Sequence, residues 1–104
     1  SKASNFATKT VLSSEIRKMA EHQARFCKVF SNPQRILILW FLANGESTFG
    51  EIAAAIGLSK PRTAQHLQRM KLGNIVEVRR EKKNTYYRIT NDRLVQDWLN
   101  FTNK

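Results

Sequence analysis

The chain has 104 residues and a mass of 12.0 kDa, a size that favours one domain with a single hydrophobic core. Hydrophobic residues make up 41% and charged residues 25%, a composition typical of globular and not of disordered proteins. The longest apolar run, Ile36 to Ala43, is far shorter than the roughly 18 residues of a membrane span. No apolar signal-peptide core follows the basic start, and the single cysteine excludes an intrachain disulfide. We therefore expect a soluble, cytoplasmic protein with no membrane partner.

The charge of the chain is the first indication of a partner. Lysine and arginine total 18 against 8 acidic residues, so the net charge is +10 and the isoelectric point is near 10.4. Residues 60–93 carry ten basic and three acidic residues and hold most of this surplus. A positive field concentrated in one third of the chain predicts a surface that binds a polyanion, with nucleic acid ahead of an anionic membrane.

The first 12 residues lack periodicity and predict a flexible arm, which leaves residues 13–104 as the folded domain. A first helix is expected from an N-cap at Ser13 or Ser14 to Ser31, with apolar residues at roughly helical spacing. Asn32-Pro33 then opens a second helix, with asparagine as the cap and proline at the first helical position. This second helix is apolar on every side, so we expect it at the centre of the core.

The next segment has the pattern of two short helices joined by a tight turn. Thr48 and Glu51 have the spacing of a capping box, and Gly57 supplies a left-handed stop. Ser59 can cap the following helix at once, and such a pair predicts a helix-turn-helix. In the second of these helices Thr63, Leu67 and Met70 are expected to face inward, opposite a polar face.

Two β-rich segments and a last helix complete the chain. Residues 75–80 and 85–90 have strand composition and flank a short basic tip, so they predict a hairpin. A final helix is expected from about Asn91 to Phe101. The predicted fold is mainly α with a small β-hairpin, a winged helix-turn-helix in the order α-α-α-α-β-β-α.

With these motifs in order, the chain resembles the ArsR/SmtB family of winged-helix transcriptional repressors. The similar segments are the opening Ser31-Asn32-Pro33-Gln34-Arg35-Ile36-Leu37, the recognition segment Leu58-Ser59-Lys60-Pro61-Arg62-Thr63-Ala64-Gln65-His66-Leu67, and the wing residues Arg79-Arg80-Glu81 and Tyr86-Tyr87-Arg88. Pro61 and Ala64 stand where the family often has serines, and Asn74 stands at a usual glycine. The resemblance implies a homodimeric regulator, a repressor by family analogy, that reads an inverted-repeat operator in double-stranded DNA.

We expect recognition helix 59–72 to enter the major groove and the basic wing 79–88 to contact the backbone or minor groove. Arg62 has the donor pair to read guanine, and Gln65 has the donor and acceptor to read adenine. The alternatives left open are a core position for Thr63 and a scaffold role or a phosphate contact for His66. The predicted DNA-binding residues are Lys60, Pro61, Arg62, Thr63, Gln65, His66, Arg69, Arg79, Arg80, Lys82, Lys83 and Arg88.

Dimerisation is expected through the first and last helices, which pack across a twofold axis in the resembled family. The alternative is that their apolar stripes only cover the core of one protomer. Cys27 is predicted to be a small buried hydrophobe, and an intersubunit disulfide would require it near the dimer axis. The predicted interface residues are Ile16, Met19, Ala20, Cys27, Leu94, Trp98 and Phe101.

No metal or other cofactor is predicted. Many members of the resembled family bind metal through a Cys-x-Cys pair before the recognition helix, where this chain has Thr48-Phe49-Gly50. Others use Asp and His on the last helix, and residues 90–104 contain no histidine. One cysteine with two scattered histidines cannot supply the thiolates or imidazoles that Zn²⁺, Cu(I) or As(III) require. His22 is therefore predicted to be a surface histidine.

Three other classes of protein are alternatives to this interpretation. An enzyme is not expected, because the sequence has no nucleophile–base set, phosphate-binding glycine loop or paired carboxylates. A nonspecific nucleoid or RNA-binding protein would use the same basic surface and is the main alternative. A winged-helix module for protein contacts would have little need for a charge of +7 over residues 60–93.

Overall fold

A computed structural model describes residues 11–102, which form five helices and one small antiparallel sheet. The predicted winged helix-turn-helix is confirmed, with one short strand added. The predicted arm falls almost entirely on residues 1–10, outside the described part of the chain. The elements in chain order are α1 (Ser14–Val29), α2 (Pro33–Leu42), β1 (Ser47–Thr48), α3 (Phe49–Ile56), α4 (Lys60–Leu72), β2 (Val76–Glu81), β3 (Asn84–Ile89) and α5 (Arg93–Thr102).

Local sequence signals determine where four of the helices begin. The side chains of Ser13, Asn32, Thr48 and Ser59 each accept a hydrogen bond from a backbone N–H of the following turn. At α3 the capping box is complete, because the Glu51 carboxylate also accepts from the Thr48 N–H at 2.8 Å. This backbone hydrogen bond lowers the pKa of Glu51. The helix-turn-helix geometry thus follows from residues close in sequence.

The turn between α3 and α4 depends on a left-handed glycine. Gly57 has a φ of 76°, and its N–H donates to the Ala53 carbonyl at 3.0 Å.

A second glycine is needed for a different reason at the end of α4. A Cβ on Gly73 would lie 2.8 Å from Val29 Cγ2, so only glycine lets α4 approach the end of α1 this closely.

The sheet has the strand order β1-β3-β2, with all neighbours antiparallel. The hairpin of β2 and β3 pairs Glu81 with Asn84, so Lys82 and Lys83 form its tip. Lys82 takes a positive φ of 56° there. The strand β1 was not predicted, because two residues are too few for a periodic signal and Thr48 reads locally only as a helix cap.

The core is built around α2, where Ile38 and Leu39 are completely buried. The predicted central position of this helix agrees with that burial, although its Leu37 and Trp40 side chains are exposed. The other core side chains come from every layer of the domain, and they are Val29, Leu42, Ile52, Leu67, Met70, Ile75, Val76, Val95 and Leu99. The core therefore holds α3, α4 and the hairpin in a fixed mutual arrangement.

The first and last helices pack at the side of this core. Phe30, just after α1, stacks on Trp98 of α5 with ring centroids 4.5 Å apart. His22 is half-buried, and its Nε2 lies 3.0 Å from Asp92 Oδ2, a contact that was not predicted. Asp92 also caps α5 by accepting from the Leu94 N–H at 2.9 Å. No helix within residues 11–102 is long and apolar enough to cross a membrane.

Candidate nucleic-acid interface

The outward face of α4 carries five of the twelve side chains predicted to touch DNA. Lys60 and Pro61 lie at the start of the helix, and Arg62, Gln65 and Arg69 follow along the same exposed side. Lys60, Arg62 and Arg69 have no carboxylate within 4 Å in the described part of the chain. The face is therefore positive, solvated and free of internal ion pairs.

Thr63 does not belong to this face, and its prediction as a DNA-binding residue is wrong. Its exposed fraction is 0%, and its hydroxyl donates to the Ser59 carbonyl at 2.9 Å. The residue lies on the inner side of α4 with Leu67 and Met70, as the helical period requires. The core alternative for Thr63 is the correct one.

His66 is half-buried and lies against Arg35, with its Nδ1 3.3 Å from Arg35 Nη1. Because a guanidinium can only donate, Nδ1 is the acceptor and the neutral ring carries its proton on Nε2. Burial lowers the pKa of His66, and the charges of Arg35, Arg62 and Arg69 lower it further. This geometry supports the scaffold role for His66.

Arg35 is the residue that sequence reasoning did not identify as important. It is only 7% exposed, and its Nε donates to the Val29 carbonyl at 2.6 Å while Nη2 donates to the Lys28 carbonyl at 3.3 Å. It therefore ties the end of α1 to α2 and, through His66, to α4. A single charge within an otherwise apolar helix is the signal that could have identified it.

The wing contains two arginines that are held by carboxylates. Arg79 donates to both oxygens of Glu46, at 2.6 and 3.2 Å, and also to Glu81. Its guanidinium carbon lies 4.4 Å from the centre of the Tyr86 ring. The hydrogen bond from Arg79 lowers the pKa of Glu46. Arg88 donates from Nε and Nη2 to a single oxygen of Glu77, at 2.8 and 2.7 Å.

The remaining wing cations, Arg80, Lys82 and Lys83, are exposed and have no carboxylate within 4 Å among residues 11–102. The predicted basic wing is thus divided into a paired base and an unpaired tip. Glu46, which lies in the loop before β1 and was not singled out from the sequence, creates this division because it neutralises Arg79.

The predicted interface residues of α1 and α5 lie mostly at the surface of the protomer. Met19 is 62% exposed and Phe101 is 78% exposed, while Ile16, Leu94 and Trp98 are half-buried. Ala20 is also exposed. Among the sixteen residues of α1 only Val29 is buried. An amphipathic helix with so little buried surface is typical of an element that packs against another chain.

The prediction that Cys27 is buried is wrong, because the side chain is exposed. Val29 and not Cys27 lies on the side of α1 that faces the core.

The structure describes no group of three or more His, Cys, Asp or Glu side chains within residues 11–102 that could hold a metal ion.

The core, the turn at Gly57, the exposed helix α4 and the hairpin together define a winged helix-turn-helix protein. Residues 32–78 match the sequence model of the bacterial regulatory proteins of the arsR family. The chain is 33% identical over 82 residues to a biofilm growth-associated repressor from Xylella fastidiosa, covering 79% of this chain and 72% of that protein. It belongs to the ArsR family of transcriptional regulators.

Two further relatives agree with this assignment. The nodulation protein NolR of Rhizobium meliloti is 35% identical over 77 residues, which are 74% of this chain and 63% of NolR. A homodimeric winged helix-turn-helix DNA-binding domain from Mycobacterium bovis, solved by NMR, superposes with a TM-score of 0.78 and 33% identity. That match covers 88% of this chain and 84% of the domain. The X. fastidiosa relative is named a repressor, and the M. bovis domain belongs to a possible ArsR-family transcriptional regulator.

Proposed function

We propose that this protein is a homodimeric repressor that binds an inverted-repeat operator in double-stranded DNA through α4 and the wing tip. The observation that carries the proposal is the location of its unpaired cations. Lys60, Arg62 and Arg69 on α4 and the wing-tip cations have no carboxylate partner among the described residues, whereas Arg79 and Arg88 do. Unpaired cations on one recognition helix and one adjacent hairpin match the electrostatic footprint of a nucleic-acid site.

The two parts of this surface have different roles in the proposal. Arg62 and Gln65 lie on the exposed face of α4 and contact base edges in the major groove, where arginine pairs with guanine and glutamine with adenine. Lys60 lies at the N-terminus of α4, where the helix dipole favours a phosphate. Lys82 and Lys83 contact phosphates from the tip of the wing.

The homodimer is supported by the apolar residues that α1 and α5 leave at the surface. Met19 and Phe101 are exposed large hydrophobic side chains, and α1 buries only Val29 in its own protomer. The M. bovis domain is homodimeric and similar over 88% of this chain. To read two half-sites one turn of B-DNA apart, such a dimer needs its two α4 helices about 34–36 Å from each other. The function as a repressor is supported by the name of the X. fastidiosa relative.

The decisive experiment is selection from a random duplex pool at ~0.15 M salt, followed by sequencing of the retained DNA. We expect enrichment of an inverted repeat with half-site centres about 10–11 bp apart. Retention without enrichment, lost at higher salt, would contradict sequence-specific binding and favour a nonspecific nucleoid-type protein. Preferential retention of RNA in a parallel pool would favour the RNA-binding alternative.

The oligomeric state is tested separately by sedimentation equilibrium at micromolar concentration. We expect twice the 12.0 kDa mass of one chain, and a shift toward one chain for Met19→Glu. Ser14→Glu is the matched control, because it adds the same charge to an exposed position of α1 about 140° around the helix from Met19. A wild-type mass near 12 kDa would exclude the dimer, and equal effects of the two variants would exclude this face as the interface.

A further inference from the structure

A cavity of about 210 Å³ lies where the C-terminal ends of α1 and α4 meet, away from the base-reading part of the α4 face. We will refer to it as the basic cavity. Its charged lining consists of Arg25 and Lys28 from α1, Arg35 from α2 and Arg69 from α4. No acidic residue lines it. Arg35 has a structural role and Arg69 lies on the proposed DNA surface, but neither role explains why Arg25 and Lys28 join them around one concave space with no anion between them.

The helix ends account for only part of this charge. The C-terminus of a helix carries about half a negative charge, so the ends of α1 and α4 together contribute about one. Arg35 already donates to the last carbonyls of α1. Arg25, Lys28 and Arg69 remain, and none has a carboxylate within 4 Å in residues 11–102, although Glu21 precedes Arg25 by one helical turn. The basic cavity therefore keeps a net positive charge.

Its other walls are apolar. Val29 and Leu72 line the space, and Leu72 is 74% exposed, so a large hydrophobic side chain stands in solvent beside the cations. An inorganic anion or a DNA phosphate would leave Leu72 uncovered. A ligand with both an anionic head and an aliphatic chain would satisfy the cations and cover Leu72 together. The volume is below the roughly 300–1,000 Å³ of pockets for drug-sized ligands, which indicates a short chain.

From this combination we propose that the basic cavity binds a short-chain aliphatic carboxylate. The carboxylate accepts from Arg25, Lys28 and Arg69, and the chain lies against Val29 and Leu72. Because Arg69 belongs to α4, the bound anion places negative charge beside the DNA-facing helix and weakens operator binding. This regulatory consequence rests on the proposed function, whereas the binding itself does not. By linkage, operator DNA weakens carboxylate binding by the same factor.

The test uses the full chain labelled with ¹⁵N and titrated with sodium hexanoate in the absence of DNA, with amide shifts around Gly73 as the readout. We expect saturable binding at least about tenfold tighter than that of acetate or inorganic phosphate. The uncharged analogue 1-hexanol should not bind at this site. Equal affinity for phosphate and hexanoate, or no saturable shift with hexanoate, would overturn the proposal.

A pair of matched double variants locates the site. Arg25→Gln with Lys28→Gln should weaken hexanoate binding about tenfold or more, because it removes two charge-assisted contacts. Arg17→Gln with Lys18→Gln makes the same changes on exposed positions two turns earlier in α1 and should leave binding within about twofold. Leu72→Ser, at an exposed position, should reduce the preference for hexanoate over acetate. Equal losses in both double variants would overturn the location.

Operator binding then separates this site from a simple DNA contact. With the selected operator, hexanoate should lower the affinity of the wild type and leave the affinity of the Arg25→Gln, Lys28→Gln variant unchanged. Loss of operator affinity and of salt dependence in that variant, with no hexanoate binding to the wild type, would make the cavity a phosphate contact and overturn the proposal. If no operator exists but hexanoate binds, only the regulatory consequence fails.

Discussion

The cations of this protein fall into two groups that differ in what surrounds them. Arg35, Arg79 and Arg88 donate to carbonyls or carboxylates of their own chain. Arg62, Lys82 and their neighbours on α4 and the wing tip have no such carboxylate partner within residues 11–102, and the same is true of Arg25 and Lys28 on α1. A basic residue within a DNA-binding motif is therefore not necessarily a residue that contacts DNA. The first group maintains the architecture, and the second is available to a ligand.

The largest effect is expected for Arg35→Met, which tests the first group. The substitution removes the Arg35 donor from the Val29 carbonyl, whereas the Lys28 carbonyl keeps its hydrogen bonds from Ser31, and a buried unsatisfied polar group costs about 1–3 kcal/mol. We expect the free energy of unfolding to fall by about 2–4 kcal/mol in urea titrations. Arg93→Met is the control, because Arg93 is exposed and should change stability by no more than about 0.5 kcal/mol. Equal effects would remove the distinction between the groups.

The next largest effect is a loss of operator affinity on substitution of Arg62, which tests the second group. Arg62→Ala should cost roughly 1–3 kcal/mol on the selected operator and less on random DNA, because it removes a bidentate contact to a base. Fluorescence anisotropy with both duplexes gives the two affinities at one salt concentration. Equal losses on the two duplexes would mean that Arg62 contacts only phosphate. Stability should stay near the wild-type value, since Arg62 is exposed.

A smaller effect, on the salt dependence of DNA binding, should distinguish the unpaired from the paired cations of the wing. Lys82→Gln should reduce the slope of log affinity against log salt by about 1, because an unpaired cation releases counterions when it meets a phosphate. Arg79→Gln removes one positive charge as well, yet its charge is already taken up by Glu46 and Glu81. We therefore expect the slope of this variant to match that of the wild type. A slope reduced equally in both variants would show that Arg79 leaves its carboxylates when DNA binds.

The smallest effect is a pH dependence that originates at His66. The folded-state pKa lies below the ordinary value of 6.5, so the unfolded chain takes up a proton first as the pH falls. Stability should therefore decrease as the pH drops below 6.5 and level off below the folded-state pKa. His66→Asn keeps an acceptor for Arg35 without titrating. Urea unfolding at pH 7.5 and 5.5 should show a smaller difference for this variant, and an equal difference would contradict the assignment.

Some features of the fold and of the site could be predicted because they depend on neighbours in sequence. The caps at Ser13, Asn32, Thr48 and Ser59 and the left-handed Gly57 lie where the sequence predicts them. Element ends were less accurate: α1 ends at Val29, two residues before the predicted Ser31. Helix ends fray, and no single side chain marks this one.

The exposed face of α4 was also predictable, since the helical period places Arg62, Gln65 and Arg69 on one side of the helix. The same period placed Thr63 with Leu67 on the inner side, and the burial of Thr63 agrees with it. Thr63 was predicted to contact DNA because it lies near the start of the recognition helix, but nearness to the helix start does not decide which face of the helix a residue occupies. For Cys27 the error came from the ordinary preference of cysteine for burial, which says nothing about which face of α1 meets the core.

By itself the sequence determined the order of the elements, the turn of the helix-turn-helix and the concentration of charge in residues 60–93. Each depends on contacts within a few residues or on composition alone. Only the tertiary structure decided which cations are paired, because Arg79 and Glu46 lie on different elements and meet when β2 folds against the loop before β1. The same holds for His22 with Asp92 and for the basic cavity between α1 and α4. The type of each residue gives its charge, but whether that charge is neutralised depends on distances that only folding creates.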